Sequence, residues 1–329
     1  MSTNRVLTYA AAINEAFHQV MEEDNGVFII GQGLESPWYV GNTTTGLIER
    51  FGSDRIIDTP VSENAITGAA VGAAISGMKV VVVHPRVDFM LYGLDPIINQ
   101  AANWFYMNGG KASVPVVFWG CINRGGEQGA QHSQALRALF AHVPGLKVVM
   151  PSTPWDAKGL MVAAIRDENP VVYLDDRWLH KSPGHVSEAL YETPIGRASI
   201  LKSGTNVTVV ANSYMTPMCL DAAEILLPKG IDVEVLDLRT VKPLDKETIL
   251  KSVTKTGRLL VVDGGWKSFG IAAEIQAMVC EEAFDALKTA PGRLCLPDCP
   301  APAARSLETA YFLNKTKIVE AIFELVARI

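Results

Sequence analysis

Several features that would place this chain in a simple structural class are missing from its 329 residues. The longest uncharged Ala/Gly-rich run, 65–78, falls short of the roughly 20 residues that a membrane-spanning helix needs. No apolar signal core follows the N-terminal MSTNR, and the five cysteines show no metal-binding spacing. We therefore expect a cytoplasmic chain with reduced thiols and no membrane partner.

Positive charge is not in excess either. The chain has 29 Lys and Arg against 35 Asp and Glu, a net charge of −6, so nothing indicates nucleic acid or an anionic membrane as a partner. Core-forming residues are plentiful, at 48% hydrophobic against 19% charged, which excludes an intrinsically disordered chain. At roughly 150 residues per domain, the length predicts about two domains.

Short β-branched runs alternate with longer amphipathic or Ala-rich stretches along the whole sequence. This alternation is typical of parallel sheets covered by helices, and we predict an α/β protein. In the first half, strands are predicted over 27–31, 79–83, 116–119, 148–150 and 171–174, with helices over 9–23, 64–76, 95–106, 134–140 and 155–166. In the second half, strands are predicted over 207–211, 233–238 and 258–262, with helices over 217–227, 246–255, 271–286 and 314–328. The predicted domains are 1–185 and 198–329, joined by a linker over 186–197.

Glu63 stands where a β-type run, 55–58, gives way to the Ala/Gly-rich helix predicted over 64–76. That helix has almost no bulk, so another backbone or subunit can approach it closely. The Glu63 carboxylate is either an ordinary N-terminal charge that complements the helix dipole or a buried acid at a packed interface. The residues alone leave both interpretations open.

A glycine-rich segment, 123–133, follows one predicted strand and contains Arg124 and His132. Ligands bind to loops at the carboxyl ends of parallel strands, and a histidine there either transfers protons or is a capping residue. Arg86, after another strand, suits a carboxylate or phosphate ligand or an ion pair with Asp88. Because no P-loop, GxGxxG, nucleophile elbow or HExxH motif is present, the residues indicate only a two-domain α/β protein with a loop-built site.

Two motifs make the chain recognisable: DTPVSE at 58–63 and AQHSQ at 130–134. With them the sequence resembles the β subunit of the E1 component of thiamine-diphosphate-dependent 2-oxoacid dehydrogenases of the pyruvate, branched-chain and acetoin types. The likeness runs essentially end to end, through FAHVPGLKVVMPSTP (140–154), DAKGL (156–160), AIRDENP (164–170) and LDLRT (236–240). It implies a pyrimidine-binding transketolase-like domain followed by a transketolase C-terminal-like domain.

The resemblance also implies roles for particular residues. Glu63 looks like the carboxylate that bonds N1′ of the cofactor's pyrimidine and holds a proton there, while the cofactor carries the hard chemistry. Phe89 is similar to the aromatic residue that packs on the pyrimidine face. His132 looks like the histidine that faces the substrate and the lipoyl acceptor, as a proton donor or an orienting group.

In that family the diphosphate is bound through Mg²⁺ on a GDG segment of the α subunit, and no GDG occurs here. The resemblance therefore implies half an active site, completed by an E1 α subunit in an α₂β₂ assembly that serves a lipoyl E2 core. It also implies a structural K⁺ site, built mainly from backbone carbonyls, near Val114, Ala164, Asp167 and Asn169.

The sequence departs from the family pattern at three places near the expected cofactor: GQG at 31–33, VHPR at 83–86 and WGC at 119–121. With Arg86 and Arg124 as candidate substrate residues, these departures predict a substrate more anionic or polar than pyruvate. The function expected is decarboxylation of a 2-oxo acid with acyl transfer to lipoyl-E2. The alternatives are a split transketolase-like ketol or acyl transferase without lipoamide and a regulatory subunit with a decayed site. The presence of Glu63, Phe89 and His132 argues against the decayed site.

Overall fold

The computed structural model describes residues 5–36 and 38–328. Contacts within the chain divide it into two units. The first unit holds the described residues up to Asn123 together with Leu139–Ile195, and the second holds Arg124–Ala138 and the residues from Gly196 onward. The segment Arg124–Ala138 thus groups with the C-terminal residues, whereas the sequence placed it within 1–185; the sequence-based domain limits stay a prediction.

The first unit alternates strands and helices. Its strands are β1 (Val6–Thr8), β2 (Val27–Gly31), β3 (Ile56–Asp58), β4 (Lys79–His84), β5 (Val116–Ile122), β6 (Lys147–Val149), β7 (Val171–Asp176) and β8 (Pro183–His185). Its helices are α1 (Tyr9–Glu23), α2 (Leu47–Phe51), α3 (Glu63–Ile75), α4 (Ala102–Met107), α5 (Arg137–His142, which begins in the second unit) and α6 (Pro154–Arg166).

The main sheet of this unit has the strand order β6-β7-β5-β4-β2-β3, and every neighbouring pair is parallel. The residues of β5 and β7 are buried throughout, as expected for central parallel strands whose two faces are both covered by helices. Because all six strands are parallel, their carboxyl ends lie at one edge of the sheet. The residues that follow β2, β4, β5 and β7 are therefore gathered at that edge.

Helices α1 and α6 pack against each other and cover one face of the sheet. Thr8 caps α1 by accepting a hydrogen bond from the Ala11 amide at 3.2 Å, and Thr153 caps α6 by accepting from Asp156 at 3.1 Å. The buried side chains of α1 recur three and four residues apart, so one apolar stripe faces the core.

The structure differs from the sequence prediction in the first unit, most clearly in two segments. The predicted helix 95–106 is a π-helical turn, Asp95–Ala101, that continues into α4. The irregular region after residue 180 contains β8, which pairs antiparallel with β1 at the three positions from Val6 to Thr8. Strands of three residues are too short to show a period of two, so the sequence carries no signal for them.

The second unit has its own sheet, in the order β14-β13-β10-β11-β9. The strands of this sheet are β9 (Ser199–Lys202), β10 (Val207–Ala211), β11 (Val233–Asp237), β13 (Leu259–Trp266) and β14 (Gly292–Leu296), and the unit also contains the short strand β12 (Thr240–Lys242). Its helices are α7 (Met215–Leu226), α8 (Lys246–Thr256), α9 (Ile271–Glu282), α10 (Arg305–Tyr311) and α11 (Lys315–Ala327). Strand β9 pairs antiparallel with β11, and the other neighbours are parallel.

None of the helices in the described part of the chain combines the length and the apolar character that crossing a lipid bilayer requires.

Candidate functional site

Glu63 is the first residue of α3 and is half-buried. Its place in the first turn sets the carboxylate near the positive end of the helix dipole. The Ser62 side chain makes no capping hydrogen bond, and Ser62 and Asn64 on either side of Glu63 are exposed. The carboxylate therefore stands at an open helix start and is accessible to a ligand.

A buried hydrogen-bonded pair holds the start of α3 against the sheet. The Thr67 hydroxyl donates to the Glu63 carbonyl at 2.6 Å and lies 3.2 Å from Nε2 of His84 at the end of β4. Because the hydroxyl proton is used on Glu63, Nε2 of His84 is the donor to Thr67. Burial lowers the pKa of His84 to about 4, so the imidazole is neutral at neutral pH.

Phe89 lies in the 3₁₀ segment Val87–Gly93 that packs on α3. Its amide donates to the Arg86 carbonyl at 3.2 Å, and Asn64 of α3 donates from Nδ2 to the Tyr92 carbonyl at 3.1 Å. Gly93 touches Thr67 so closely that a Cβ there would lie 2.7 Å from Oγ1. The structure thus brings the helix of Glu63 and the segment of Phe89 together.

The same edge of the sheet carries buried polar atoms with no hydrogen-bond partner among the described residues. They include Oγ1 of Thr59, which precedes Glu63, and Nε2 of Gln32, which follows β2. Buried polar atoms of folded proteins are normally paired, so such atoms fit a polar ligand. A carboxylate, a half-buried aromatic side chain and these atoms together suit a polar heteroaromatic ring such as a pyrimidine.

Two arginines lie at the carboxyl edge, and the sequence pointed to one of them. With its amide turned so that the oxygen faces Arg86, Asn123 accepts from Nε at 2.9 Å and from Nη2 at 3.1 Å. Arg177 follows β7 directly and donates to the Tyr39 carbonyl. Sequence reasoning missed Arg177, whose only signal was a charged residue directly after a buried strand.

A buried cluster near Arg177 joins Cys121, Asp175 and His180. Asp175 accepts from Nε1 of Trp119 at 3.0 Å and forms a hydrogen bond with Nε2 of His180. Burial raises the pKa of Asp175, but the charge and hydrogen bond of His180 outweigh this and lower it overall. Burial also raises the pKa of the Cys121 thiol, assisted by the charge of Asp175, so the sulfur keeps its proton and is a poor metal ligand.

The residues expected around K⁺ lie in the first unit. The Val114 amide donates to the Glu168 carbonyl at 3.0 Å, which brings two of the expected segments together. Asp167 accepts from the Asn169 amide at 2.9 Å and forms an ion pair with Lys147, while Ala164 is buried in α6. Oδ1 of Asn169 is buried without a hydrogen-bond partner in the described chain, so an oxygen is available there for a cation.

Arg124 and the loop that follows it belong to the second unit. The Arg124 side chain is buried and donates from Nη1 to the Gly264 carbonyl at 3.1 Å, and a Cβ on Gly264 would lie 2.5 Å from the same nitrogen. Further along, the Glu127 amide donates to both carboxylate oxygens of Glu308, at 3.1 and 3.2 Å. These contacts anchor the loop to the end of β13 and to α10.

His132 ends a 3₁₀ turn, Ala130–His132, in that loop and is half-buried. Five residues on, Arg137 forms an ion pair with Asp263 in which both side chains are 1% exposed. The loop that carries His132 is therefore held at both of its ends. The role of His132 stays a prediction.

The sequence matches two domain families in chain order. Residues 5–179 match the transketolase pyrimidine-binding domain, and residues 196–318 match the transketolase C-terminal domain.

Curated proteins are similar over nearly the whole chain. The acetoin:2,6-dichlorophenolindophenol oxidoreductase β subunit of Cupriavidus necator is 43% identical over 327 residues, covering 96% of each chain. The pyruvate dehydrogenase E1 component β subunit of Rickettsia felis is 41% identical over 96% of this chain and 97% of its own. The human mitochondrial protein of that name is 40% identical over 96% of this chain and 89% of its own.

A solved structure titled split gene transketolase, inactive β4 tetramer, superposes with a TM-score of 0.80. It covers 97% of this chain and 98% of its own, at 21% identity. At that identity the likeness shows the fold alone, and it confirms the two-domain α/β architecture predicted from the sequence.

Proposed function

This chain belongs to the family of E1 component β subunits, built from the transketolase pyrimidine-binding and C-terminal domains, and from that premise we propose that it decarboxylates a 2-oxo acid together with an α subunit. The acyl group then passes to the lipoyl group of an E2 core. The family implies thiamine diphosphate as the cofactor and an α subunit as the partner. The identity of about two-fifths to named E1 β subunits over nearly the full length is the observation that carries the proposal.

When bound, thiamine diphosphate would supply a nucleophilic carbon for chemistry at the 2-oxo group. Glu63 binds the pyrimidine N1′ atom and holds a proton there, and the open start of α3 leaves its carboxylate accessible for this role. Phe89 packs on the pyrimidine face from the segment that touches α3. His132 faces the substrate and the lipoyl group as a proton donor or an orienting group. Mg²⁺ and the diphosphate are held by the α subunit.

The surface near Glu63 supports a partner subunit. Five residues of α3 with small or short side chains (Asn64, Ala65, Gly68, Ala69 and Gly72) are exposed, and a Cβ at either glycine would meet no atom within 4 Å. The adjoining Val61 and Tyr92 are 74% and 70% exposed. Contiguous apolar exposure of this kind marks protein interfaces. The α subunit covers this face and completes the cofactor site.

Co-expression with its α subunit tests the proposal. Calorimetry with thiamine diphosphate and Mg²⁺ is expected to show binding by the complex, and 2-oxo acid turnover is expected to fall at least 100-fold in Glu63→Gln. Glu49→Gln, at an exposed position in the first turn of α2, is the matched control and keeps full activity. Turnover that is indifferent to Glu63, or cofactor binding by the β chain alone, would contradict the shared site.

The acceptor separates this proposal from the split-transketolase alternative. An isolated lipoyl domain is expected to be acylated by the complex in the presence of a 2-oxo acid. Acyl or ketol transfer to an aldose or a second oxo acid, with no acylation of lipoyl domain, would favour the alternative instead. The cytoplasm remains the predicted location, and fractionation of the cells checks it.

A structural K⁺ ion is the last part of the proposal. Oδ1 of Asn169 supports it, whereas the Asp167 carboxylate is already paired with Lys147 and leaves only its carbonyl for a cation. The melting temperature is expected to be higher in KCl than in NaCl at equal ionic strength, by about 2–4 °C for each kcal/mol of binding free energy in a domain of about 150–250 residues. This difference is expected to vanish in Asn169→Ala. Equal melting temperatures of the wild type in both salts would rule the ion out.

A further inference from the structure

Arg86 and Arg177 extend from neighbouring parts of one sheet edge. Arg86 follows β4, Arg177 follows β7, and these strands are the two neighbours of β5, whose end is followed by Asn123. Adjacent strands are about 4.8 Å apart, so β4 and β7 are separated by about 10 Å. Two arginine side chains can converge on one ligand across that distance.

Neither arginine forms a salt bridge in the described chain. Arg86 donates to the side-chain oxygen of Asn123 and, from Nη1 at 2.8 Å, to the Pro85 carbonyl. Arg177 donates to the Tyr39 carbonyl, and its Nε is buried with no hydrogen-bond partner. The nearby Asp175 is already engaged by His180 and Trp119. The protein partners of the two arginines are therefore neutral, and at least one donor remains unused.

The two positive charges also act on each other. Burial lowers the pKa of Arg86, and the positive charge of Arg177 lowers it further. Cys121, Tyr39 and Asp88 act in the opposite direction and raise the pKa of Arg86, but burial and the charge of Arg177 outweigh them. Half-buried like charges without a paired carboxylate cost free energy, and an anion that accepts from both guanidinium groups removes that cost.

We propose that Arg86 and Arg177 form a carboxylate-binding site that holds the distal carboxylate of a dicarboxylic 2-oxo acid. This inference rests on the proposed function and names its substrate class. The carboxylate next to the oxo group leaves as CO₂, so a strong clamp on that group stabilises the ground state over the transition state and slows the reaction. A carboxylate that persists through the reaction is bound without this penalty. Arg124 belongs to the second unit, and its role at the substrate stays a prediction.

Direct binding is the first test, carried out by calorimetry on the full chain and on its complex with the α subunit. The probes are 2-oxoglutarate and its monocarboxylic counterpart 2-oxobutyrate. The wild type is expected to bind the dicarboxylate at least tenfold more tightly, and Arg177→Gln or Arg86→Gln is expected to remove that preference. Arg50→Gln, at an exposed arginine on α2, is the matched control and keeps it. Circular dichroism establishes that each variant is folded.

The second test compares kcat/KM for 2-oxoglutarate and pyruvate in the complex. The ratio is expected to fall at least tenfold in Arg177→Gln, mainly through KM for the dicarboxylate, and to recover only partly in Arg177→Lys because lysine cannot donate in a bidentate fork. A wild type that prefers pyruvate, or a ratio that neither arginine changes, would overturn the inference and leave the proposed function standing. Absence of turnover with every 2-oxo acid would defeat the proposed function, and the calorimetry would still decide whether the arginines bind a dicarboxylate.

Discussion

At the scale of single residues, burial decides which charges the chain keeps. His84 is fully buried against Thr67, and its neutral ring holds the start of α3 where Glu63 stands. Arg137 and Asp263 are equally buried but are both charged and paired. The folded chain therefore favours the neutral form of His84, and it favours the form of the Arg137–Asp263 pair in which both side chains are charged. The two cases predict different responses to pH and to substitution.

His84 predicts a loss of stability between pH 6.5 and pH 4. Its pKa is lowered to about 4 in the folded chain, against about 6.5 when unfolded, so on acidification the unfolded chain takes up a proton that the folded chain refuses. The stabilisation is complete above pH 6.5 and is lost as the pH falls towards 4. Between pH 7.5 and pH 5 the wild type is expected to lose about 2 kcal/mol more unfolding free energy than His84→Asn.

Urea denaturation at the two pH values measures this difference. His142→Gln, which removes an exposed histidine at the end of α5, serves as the control and keeps the wild-type pH dependence. Parallel losses in wild type and His84→Asn would show that His84 does not titrate in this range.

The Arg137–Asp263 pair predicts a large effect of removing one charge. Asp263→Ala leaves Arg137 buried without its partner, and a loss of about 3–5 kcal/mol in unfolding free energy is expected. The matched change is Asp221→Ala, which breaks a surface ion pair with Lys315. The Asp221 and Lys315 side chains are 63% and 48% exposed, so this change is expected to cost at most about 1 kcal/mol. Chemical denaturation of both variants measures the two losses in unfolding free energy. Similar losses would mean that the buried pair contributes no more to stability than the surface pair.

At the scale of elements, close backbone approach sets the position of α3. Gly93, in the segment that carries Phe89, lies against Thr67, which in turn bonds the Glu63 carbonyl. On the outer face of the same helix, a Cβ added to Gly68 would meet no atom within 4 Å. A side chain is therefore excluded at Gly93, in the segment that packs on the inner face of α3, but is tolerated at Gly68 on its outer face.

Alanine substitutions at these two glycines test the argument. Gly93→Ala is expected to lower the unfolding free energy by about 1–3 kcal/mol, because its Cβ collides with the β-branched Thr67. Gly68→Ala is expected to raise it by about 0.5–1 kcal/mol, since alanine is the better helix former where there is space. Thermal denaturation of the isolated chain measures both, and a stabilised Gly93→Ala variant would contradict the close contact.

At the scale of the whole molecule, the exposed face of α3 and the neighbouring Tyr92 form the surface on which the proposed α subunit would pack. The family implies an α subunit, and the small side chains of α3 allow another backbone to approach near Glu63. The loop of His132 lies in the second unit and is anchored there on Gly264 and Glu308.

Ala69→Arg is expected to block assembly with the α subunit. The long charged side chain occupies the space that the partner needs, and association is expected to weaken at least tenfold while the isolated chain stays folded. Thr316→Arg, at an exposed position on α11, is the control for added charge and size. Sedimentation of co-expressed subunits measures the complex; a normal complex with Ala69→Arg would place the α subunit elsewhere.

Much of the fold follows from local patterns. The bounds of α1 and β2 agree with the prediction, because Thr8 caps α1, its apolar residues follow a helical period, and β2 is a short apolar run that ends at a glycine. The short strands β1 and β8 and the π-helical turn before α4 were not predicted. Three residues show no periodicity, and a π turn differs from an α turn only in its hydrogen bonds, which composition does not encode.

The sequence by itself determined the α/β class, the family and the candidates Glu63, Phe89 and His132, because periods of two and 3.6 and contiguous motifs are local properties of a chain. Only the tertiary structure decided that Arg177 lies near Arg86, that His84 supports α3, and that the loop from Arg124 groups with the second unit. The parallel crossovers bring strand ends that are distant in sequence to one edge. Such contacts depend on strand order and burial, which no local pattern records.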